Sequence, residues 1–163
     1  MGKRHISQSN TNFFFITATF ENWKQFGNVP GFYEKLSESL IFYNEKYQAK
    51  IVGHVFMPSH IHLILYINSI DLGNYIRDFK KFITQKAVRD LGINDQNIWM
   101  PRYDSVGLYS ESVLLTKLKY IHNNPVRNGL VTNPADWKWS SAGDYESNNS
   151  GPIPIWKGWA GDD

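Results

Sequence analysis

Met57-Pro-Ser-His-Ile-His-Leu-Ile-Leu-Tyr66 is the stretch on which the reading of this chain turns. It reads as a strand leaving a tight Pro58-Ser59 turn, with histidines at i and i+2. Side chains of a strand alternate between faces, so His60 and His62 share one face while Ile61, Leu63, Leu65 and Ile67 share the other. Two imidazoles converging from one rigid strand form half a site for a divalent metal. A chain with five histidines also produces His-x-His by chance, and a half-buried pair without metal is an equally ordinary outcome. Ala49 to Met57 reads as the strand before it, and a two-residue connection makes the two a tight antiparallel hairpin. If Met57 pairs with His60, then Val55 pairs with His62, on the face that would carry a metal. His54 falls opposite Leu63 on the other face and is assigned to structure.

Outward from the hairpin, residues 1–12 are polar, carry Lys3, Arg4 and His5, and are expected to form a loose basic arm. Phe13 to Phe20, rich in aromatic and β-branched residues, reads as a first strand. Pro30 and Gly31 open a helix whose Phe32, Leu36, Leu40, Tyr43 and Tyr47 make an apolar stripe. Asp71 to Leu91 reads as a second helix with Leu72, Ile76, Phe79 and Ile83 inward. Ile98 to Leu108 is expected to be a fourth, Pro-interrupted strand, therefore an edge or bulged one. Glu111 to about Asn123 reads as a third helix, with Ser110 as its N-cap and Pro125 as its stop. Asn133 to Tyr145 holds Trp137 and Trp139 with a short turn or helix. An irregular tail follows over 147–163, where Trp156 and Trp159 are candidates for anchors. Strand, helix, hairpin, helix, strand, helix on one antiparallel sheet is an α+β, ferredoxin-like order. With 163 residues and no internal repeat, one domain is expected.

Composition narrows the function classes. The absence of cysteine excludes disulfides and thiolate metal sites. No apolar run approaches a membrane span and the N-terminus lacks a signal-peptide core, so the expected location is cytoplasmic, in contact with the nucleoid. Charge is uneven: residues 136–163 carry a balance of −3 and the rest +5. A moderately basic body suits a polyanionic partner. Arg77, Lys80, Lys81, Lys86 and Arg89 spread over the outer side of the second helix; singly each suits a solvated face, and as a cluster they are candidates for phosphate contacts.

The chemistry is expected where the third helix meets the His-x-His strand. Leu114, Leu118 and Ile121 form its core stripe, while Tyr120 and Asn124, four apart, are neighbours beside it with Lys117 close by. A tyrosine next to an amide, facing two histidines, is the set that phosphodiester cleavage by a tyrosine nucleophile needs. Two imidazoles and the Asn124 oxygen would give Mg²⁺ or Mn²⁺ three ligands and leave room for substrate oxygens. A tyrosine hydroxyl is protonated at neutral pH and needs a cation or base nearby before it attacks. By spacing alone an ordinary half-buried helix tyrosine is the more frequent occurrence, and Asn before Pro is a common helix stop.

Met-Pro-Ser-His-Ile-His-Leu-Ile-Leu, then Tyr120-Ile-His-Asn-Asn-Pro-Val-Arg-Asn-Gly-Leu-Val131, then Asp136-Trp-Lys-Trp-Ser-Ser141 resemble the successive signatures of the single-tyrosine HUH transposases. The nearest branch by this resemblance is the one associated with repetitive extragenic palindromes (REP), and the likeness runs from about residue 13 to 146. It implies His60 and His62 as the metal pair, Tyr120 as nucleophile and Asn124 as third ligand of Mg²⁺ or Mn²⁺. It implies an enzyme that nicks and rejoins single-stranded, hairpin-containing DNA through a 5′-phosphotyrosine. Arg77, Lys80, Lys81, Arg102, Lys117 and Arg127 are the candidate DNA-binding cations, and monomer or homodimer both stay open. Two departures stand out: Ser59 where the family has Asn, and Trp99-Met100 where it has Trp-Gln. Two other readings compete: a catalytically silent single-strand or hairpin-binding protein on the same fold, and a metal-dependent hydrolase using activated water, which leaves Tyr120 without a role.

Overall fold

The computed structural model describes residues 11–147 and 149–161, so nearly all of the expected N-terminal arm lies outside the described residues. Its last two residues are tied down: Thr11 Oγ1 donates to the Leu108 carbonyl at 2.7 Å, and Asn12 O accepts from Ile67 N at 2.9 Å.

The elements are β1 (Phe13–Thr19), α1 (Phe32–Tyr47), β2 (Lys50–Phe56), β3 (His60–Tyr66), α2 (Leu72–Leu91), β4 (Asp104–Gly107), α3 (Glu111–Arg127) and α4 (Ala142–Glu146). The sheet order is β2-β3-β1-β4 with every pair antiparallel. Together with the β-α-β-β-α-β order this is the ferredoxin-like arrangement the sequence predicts. The hairpin register also follows: Val55 pairs with His62 and His54 with Leu63.

Alternation divides the core between the two faces of the sheet. Phe14, Ile16, Ile61, Leu63 and Leu65 pack with Leu36 and Leu40 of α1 and Ile76, Phe79 and Ile83 of α2. Phe15, Val55 and Ile64 point the other way, onto Leu114, Leu118 and Ile121 of α3. A β-bulge at Val52, between the pairs Ile51–Leu65 and Gly53–Ile64, is invisible in the alternation pattern. It brings Gly53 under α3, where a Cβ would stand 2.5 Å from Leu118 Cδ1. A side chain at this position would have to displace the Leu118 and Ile121 ends that α3 packs onto the strand.

Two expectations need correction. The fourth strand is Asp104–Gly107, an edge strand, rather than 98–108. Pro101 offers no N–H to the ladder, and Trp99 meets β1 only through an isolated bridge to Phe20. Helix α3 does not stop before Pro125 but runs on to Arg127. The Pro125 ring is buried, and Asn128 closes the end by donating through its backbone (3.1 Å) and its side chain (2.8 Å) to the Asn124 carbonyl. The irregular tail is held at the candidate anchor Trp156: Ile153 is fully buried, Trp156 N donates to Ile51 O at 2.8 Å, and the Trp156 ring lies against Phe13 and Tyr66. Together with the Phe56 N to Trp139 O bond and the Val55–Ser140 bridge, it covers the outer edge of β2.

Candidate active site on the α3 face of the sheet

His60 and His62 lie side by side on β3, ring centroids 4.8 Å apart. Each Nδ1 meets a hydroxyl: Thr17 Oγ1 at 2.9 Å for His62 and Ser59 Oγ at 3.1 Å for His60. Engaging Nδ1 fixes the ring and leaves Nε2 for a ligand. Ser59, the family departure, thus has a structural part in orienting His60. Burial lowers the pKa of both rings. For His62 it goes to about 3, with burial the main cause and His60, Arg127 and Lys117 adding to it. Both rings are therefore neutral at neutral pH, the form a metal binds.

Helix α3 brings the remaining residues over this pair. Asn124 is buried, and its Nδ2 lies 3.5 Å from His60 Nε2. Asn128 Nδ2 donates to Asn124 Oδ1 at 2.7 Å and fixes the amide from behind. Among the described residues no three His, Cys, Asp or Glu side chains gather to hold a metal, so a divalent ion at this point relies on Asn124 as third donor. Two neutral imidazoles and an amide fit such an ion, but presenting Oδ1 to it requires the amide to turn end for end and give up the bond from Asn128.

Tyr120 is 45% exposed and stands one helical turn before Asn124. Its ring meets His62 and Phe15 edge-on, at 5.8 and 6.2 Å between centroids. The Arg127 guanidinium lies 4.4 Å over the ring, and Arg127 Nη2 donates to the Tyr120 carbonyl at 3.1 Å. The Lys117 ammonium is 5.9 Å from the same ring. His60, His62, Tyr120 and Asn124 thus come together on one face with two cations beside the phenol. His54 is on the opposite face, fully buried, with both ring nitrogens lacking a partner.

The six expected DNA-binding cations separate. Lys117 and Arg127 gather at Tyr120, and Arg102 is exposed ahead of β4. Arg77, Lys80 and Lys81 ride on α2, whose packing face is against the other side of the sheet. There Arg77 pairs with Asp78 at 3.0 Å, Lys80 donates to Met100 O at 2.9 Å, and Lys81 is exposed. Sequence reading missed Thr17 and Asn128. Thr17 sits four residues into the first strand, and only the β1–β3 register sets it against His62. The i+4 spacing of Asn124 and Asn128 was a readable signal.

No protein-family model matches the chain. It is 28% identical over 132 residues to a REP-associated tyrosine transposase of Escherichia coli (strain K12), covering 80% of this chain and 74% of that one. A Haemophilus influenzae protein bearing the same family name is 31% identical over 108 residues, 60% of this chain and 61% of the relative. Among solved structures, a REP-associated tyrosine transposase bound to a REP hairpin superposes with a TM-score of 0.71 at 24% identity, over 90% of both chains. In sequence and in fold, then, the chain is related to the REP-associated tyrosine transposases.

Proposed function

We propose that this protein nicks and rejoins single-stranded, hairpin-containing DNA, with Tyr120 as nucleophile. The observation that carries this reading is the convergence of His60, His62 and Asn124 with an exposed tyrosine held between a histidine and an arginine. The hairpin in the solved relative supports the substrate class.

In this mechanism the Tyr120 oxygen attacks the scissile phosphorus, a phosphotyrosine ester forms, and the bond to the 3′-oxygen breaks, leaving a free 3′-hydroxyl. The ester keeps a high-energy linkage, so the reverse attack by a 3′-hydroxyl rejoins the strand without a nucleotide cofactor. Arg127 and Lys117, both within reach of the Tyr120 ring, offer positive charge to the phosphate. The phenolic proton leaves to solvent through the exposed side of the ring, and the departing 3′-oxygen takes up a proton from solvent. His60, His62 and Asn124 would hold a divalent ion, Mg²⁺ or Mn²⁺, which supplies Lewis-acid polarisation of the phosphate when bound. Thr17 and Ser59 orient the two imidazoles.

The test is incubation of the protein with hairpin-containing single-stranded DNA and Mn²⁺, followed by denaturing electrophoresis. A covalent protein–DNA band that disappears in Tyr120→Phe is the expected result. Nicking without an adduct would leave the water-activating hydrolase as the better account, and binding without nicking would leave the silent hairpin binder.

A further inference from the structure

A cavity opens on the α3 face, at the far end of β1 from the histidines. It measures about 230 Å³ and is lined by Phe13, Leu108, Tyr109, Glu111, Leu114 and Trp159. That is below the roughly 300–1,000 Å³ of ordinary small-molecule pockets, so it suits one flat ring system rather than a whole nucleotide or a peptide. Three of its walls are aromatic. Tyr109 is 52% exposed, although its ring stands beside a void that a flat partner would fill.

The strand register ties this cavity to the candidate active site. Phe13, Phe15 and Thr17 alternate onto the same face of β1, and their partners on β3 are Tyr66, Ile64 and His62. Phe13 lines the cavity, Phe15 touches Tyr120, and Thr17 bonds His62. Four residues of strand separate the ends of this row, about 13 Å at the usual rise. The span matches one to two nucleotide steps of an extended strand. Midway stands Lys117, its ammonium 4.9 Å over the Phe15 ring, where a phosphate between the two positions would pass. Aromatic walls, a cation spaced to meet the backbone and continuity with Tyr120 belong together in a single-strand channel. Glu111 and the Ser110 hydroxyl at the cavity rim offer acceptors to the N–H groups of a base edge.

We infer that the Phe13–Tyr109–Trp159 cavity is a nucleobase subsite, taking one unpaired base of the single-stranded flank a nucleotide or two from the scissile phosphate. It rests on the strand-cleaving reading and deepens it, because it names which part of the substrate is held outside the reacting centre.

The experiment measures Kd, by fluorescence polarisation in EDTA so that no strand is cut, for DNA hairpins with short single-stranded flanks. Each flank nucleotide is replaced in turn by an abasic spacer. One position should weaken wild-type binding by about tenfold, within the range for losing one base–aromatic stack. Tyr109→Ala should weaken the intact oligonucleotide similarly and abolish the further loss at that one position. Tyr109→Trp should restore both, which a fold defect would not. In parallel, the covalent adduct formed by the wild-type protein with Mn²⁺ maps the nick, and the sensitive position should lie within two nucleotides of it. Equal weakening of every oligonucleotide by Tyr109→Ala, with the abasic penalty intact, would overturn the subsite. So would a scan in which no position matters, or a sensitive position remote from the nick. A wild-type protein that binds the hairpins and shows the coupling, yet forms no adduct, overturns the cleavage reading and leaves a base-binding pocket. One that binds no oligonucleotide overturns both.

Discussion

The two faces of the sheet do different work, and two histidines one row apart show it. His54 and His62 belong to neighbouring strands, and burial depresses both to about 3. His54 pairs with Leu63 on the α1/α2 face, its ring 5.1 Å from that of Phe56 and neither ring nitrogen hydrogen-bonded. His62 has Thr17 on one nitrogen, Phe15 stacked on its ring at 5.3 Å, and the cations of α3 nearby. The first face is a closed core held by packing. The second has a smaller apolar cluster, around Leu114, Leu118 and Ile121, and the polar groups beside it are organised by hydrogen bonds. Stability and chemistry should therefore respond to different substitutions.

The largest effect tests the α3 face. Tyr120→Phe is expected to abolish the covalent adduct, because the chain has no cysteine and the Thr17 and Ser59 hydroxyls at the site are engaged on the histidines. The ring still packs on Phe15 and His62 and under Arg127, so stability should change by no more than about 0.5–1.5 kcal/mol, the worth of one hydrogen bond. An adduct formed by Tyr120→Phe, or a large fall in melting temperature, would break the division. Phe79→Ala is the converse experiment. Phe79 is buried on the α1/α2 face against Trp99, with ring centroids 5.6 Å apart. Its truncation should cost about 3–5 kcal/mol, read as a shifted denaturation midpoint. Enzyme that remains folded should still form adduct in Mn²⁺.

How much of this was legible follows the range of the interactions. The Pro58-Ser59 turn and the alternation around it are local, so the hairpin register and the opposite faces of His54 and His62 could be read directly. The third helix was legible in its stripe but not in its end. Pro125 argues for a stop by its missing N–H, whereas burial of its ring and the Asn128 cap act through packing that no local rule contains. The bulge at Val52 leaves no mark in a run of apolar residues, yet it admits α3 over Gly53. Of the candidate site, the residues that could touch an ion or a phosphate were visible as motifs. Thr17 was not, because its pairing with His62 spans 45 residues.

A middle-sized effect separates the two histidines by pH. His54 is fully buried and its pKa falls from the usual 6.5 to about 3. Between those values the unfolded chain holds a proton that the folded chain does not, so the stability is present above about pH 6.5 and is lost as pH falls towards 3. His54→Leu removes that proton and two unpartnered buried nitrogens. It should raise the melting temperature at neutral pH and flatten the acid limb of the stability curve, with adduct formation in Mn²⁺ unchanged. An unaltered acid limb would assign the acid sensitivity to the α3 face instead.

The smallest effect concerns adjacent lysines of α2 that sequence treats alike. Lys80 is half-buried, its ammonium 2.9 Å from the Met100 carbonyl and 5.9 Å from the Trp99 ring, and burial lowers its pKa. Lys81 is exposed on the next position of the helix. An ammonium already bonded inside the protein releases no counterion when DNA arrives, whereas a free one on a phosphate does. Lys80→Ala should therefore lower stability modestly, by the roughly 0.5–1.5 kcal/mol of a hydrogen bond, and leave the salt dependence of DNA binding unchanged. If DNA reaches this side of the sheet, Lys81→Ala should reduce the slope of log K against log salt by about 0.7–0.9, one phosphate contact, without moving the melting temperature. An unchanged slope in Lys81→Ala would confine the DNA to the α3 face, with Lys117 and Arg127 as its contacts. A reduced slope in Lys80→Ala would mean that the Met100 contact opens when DNA binds.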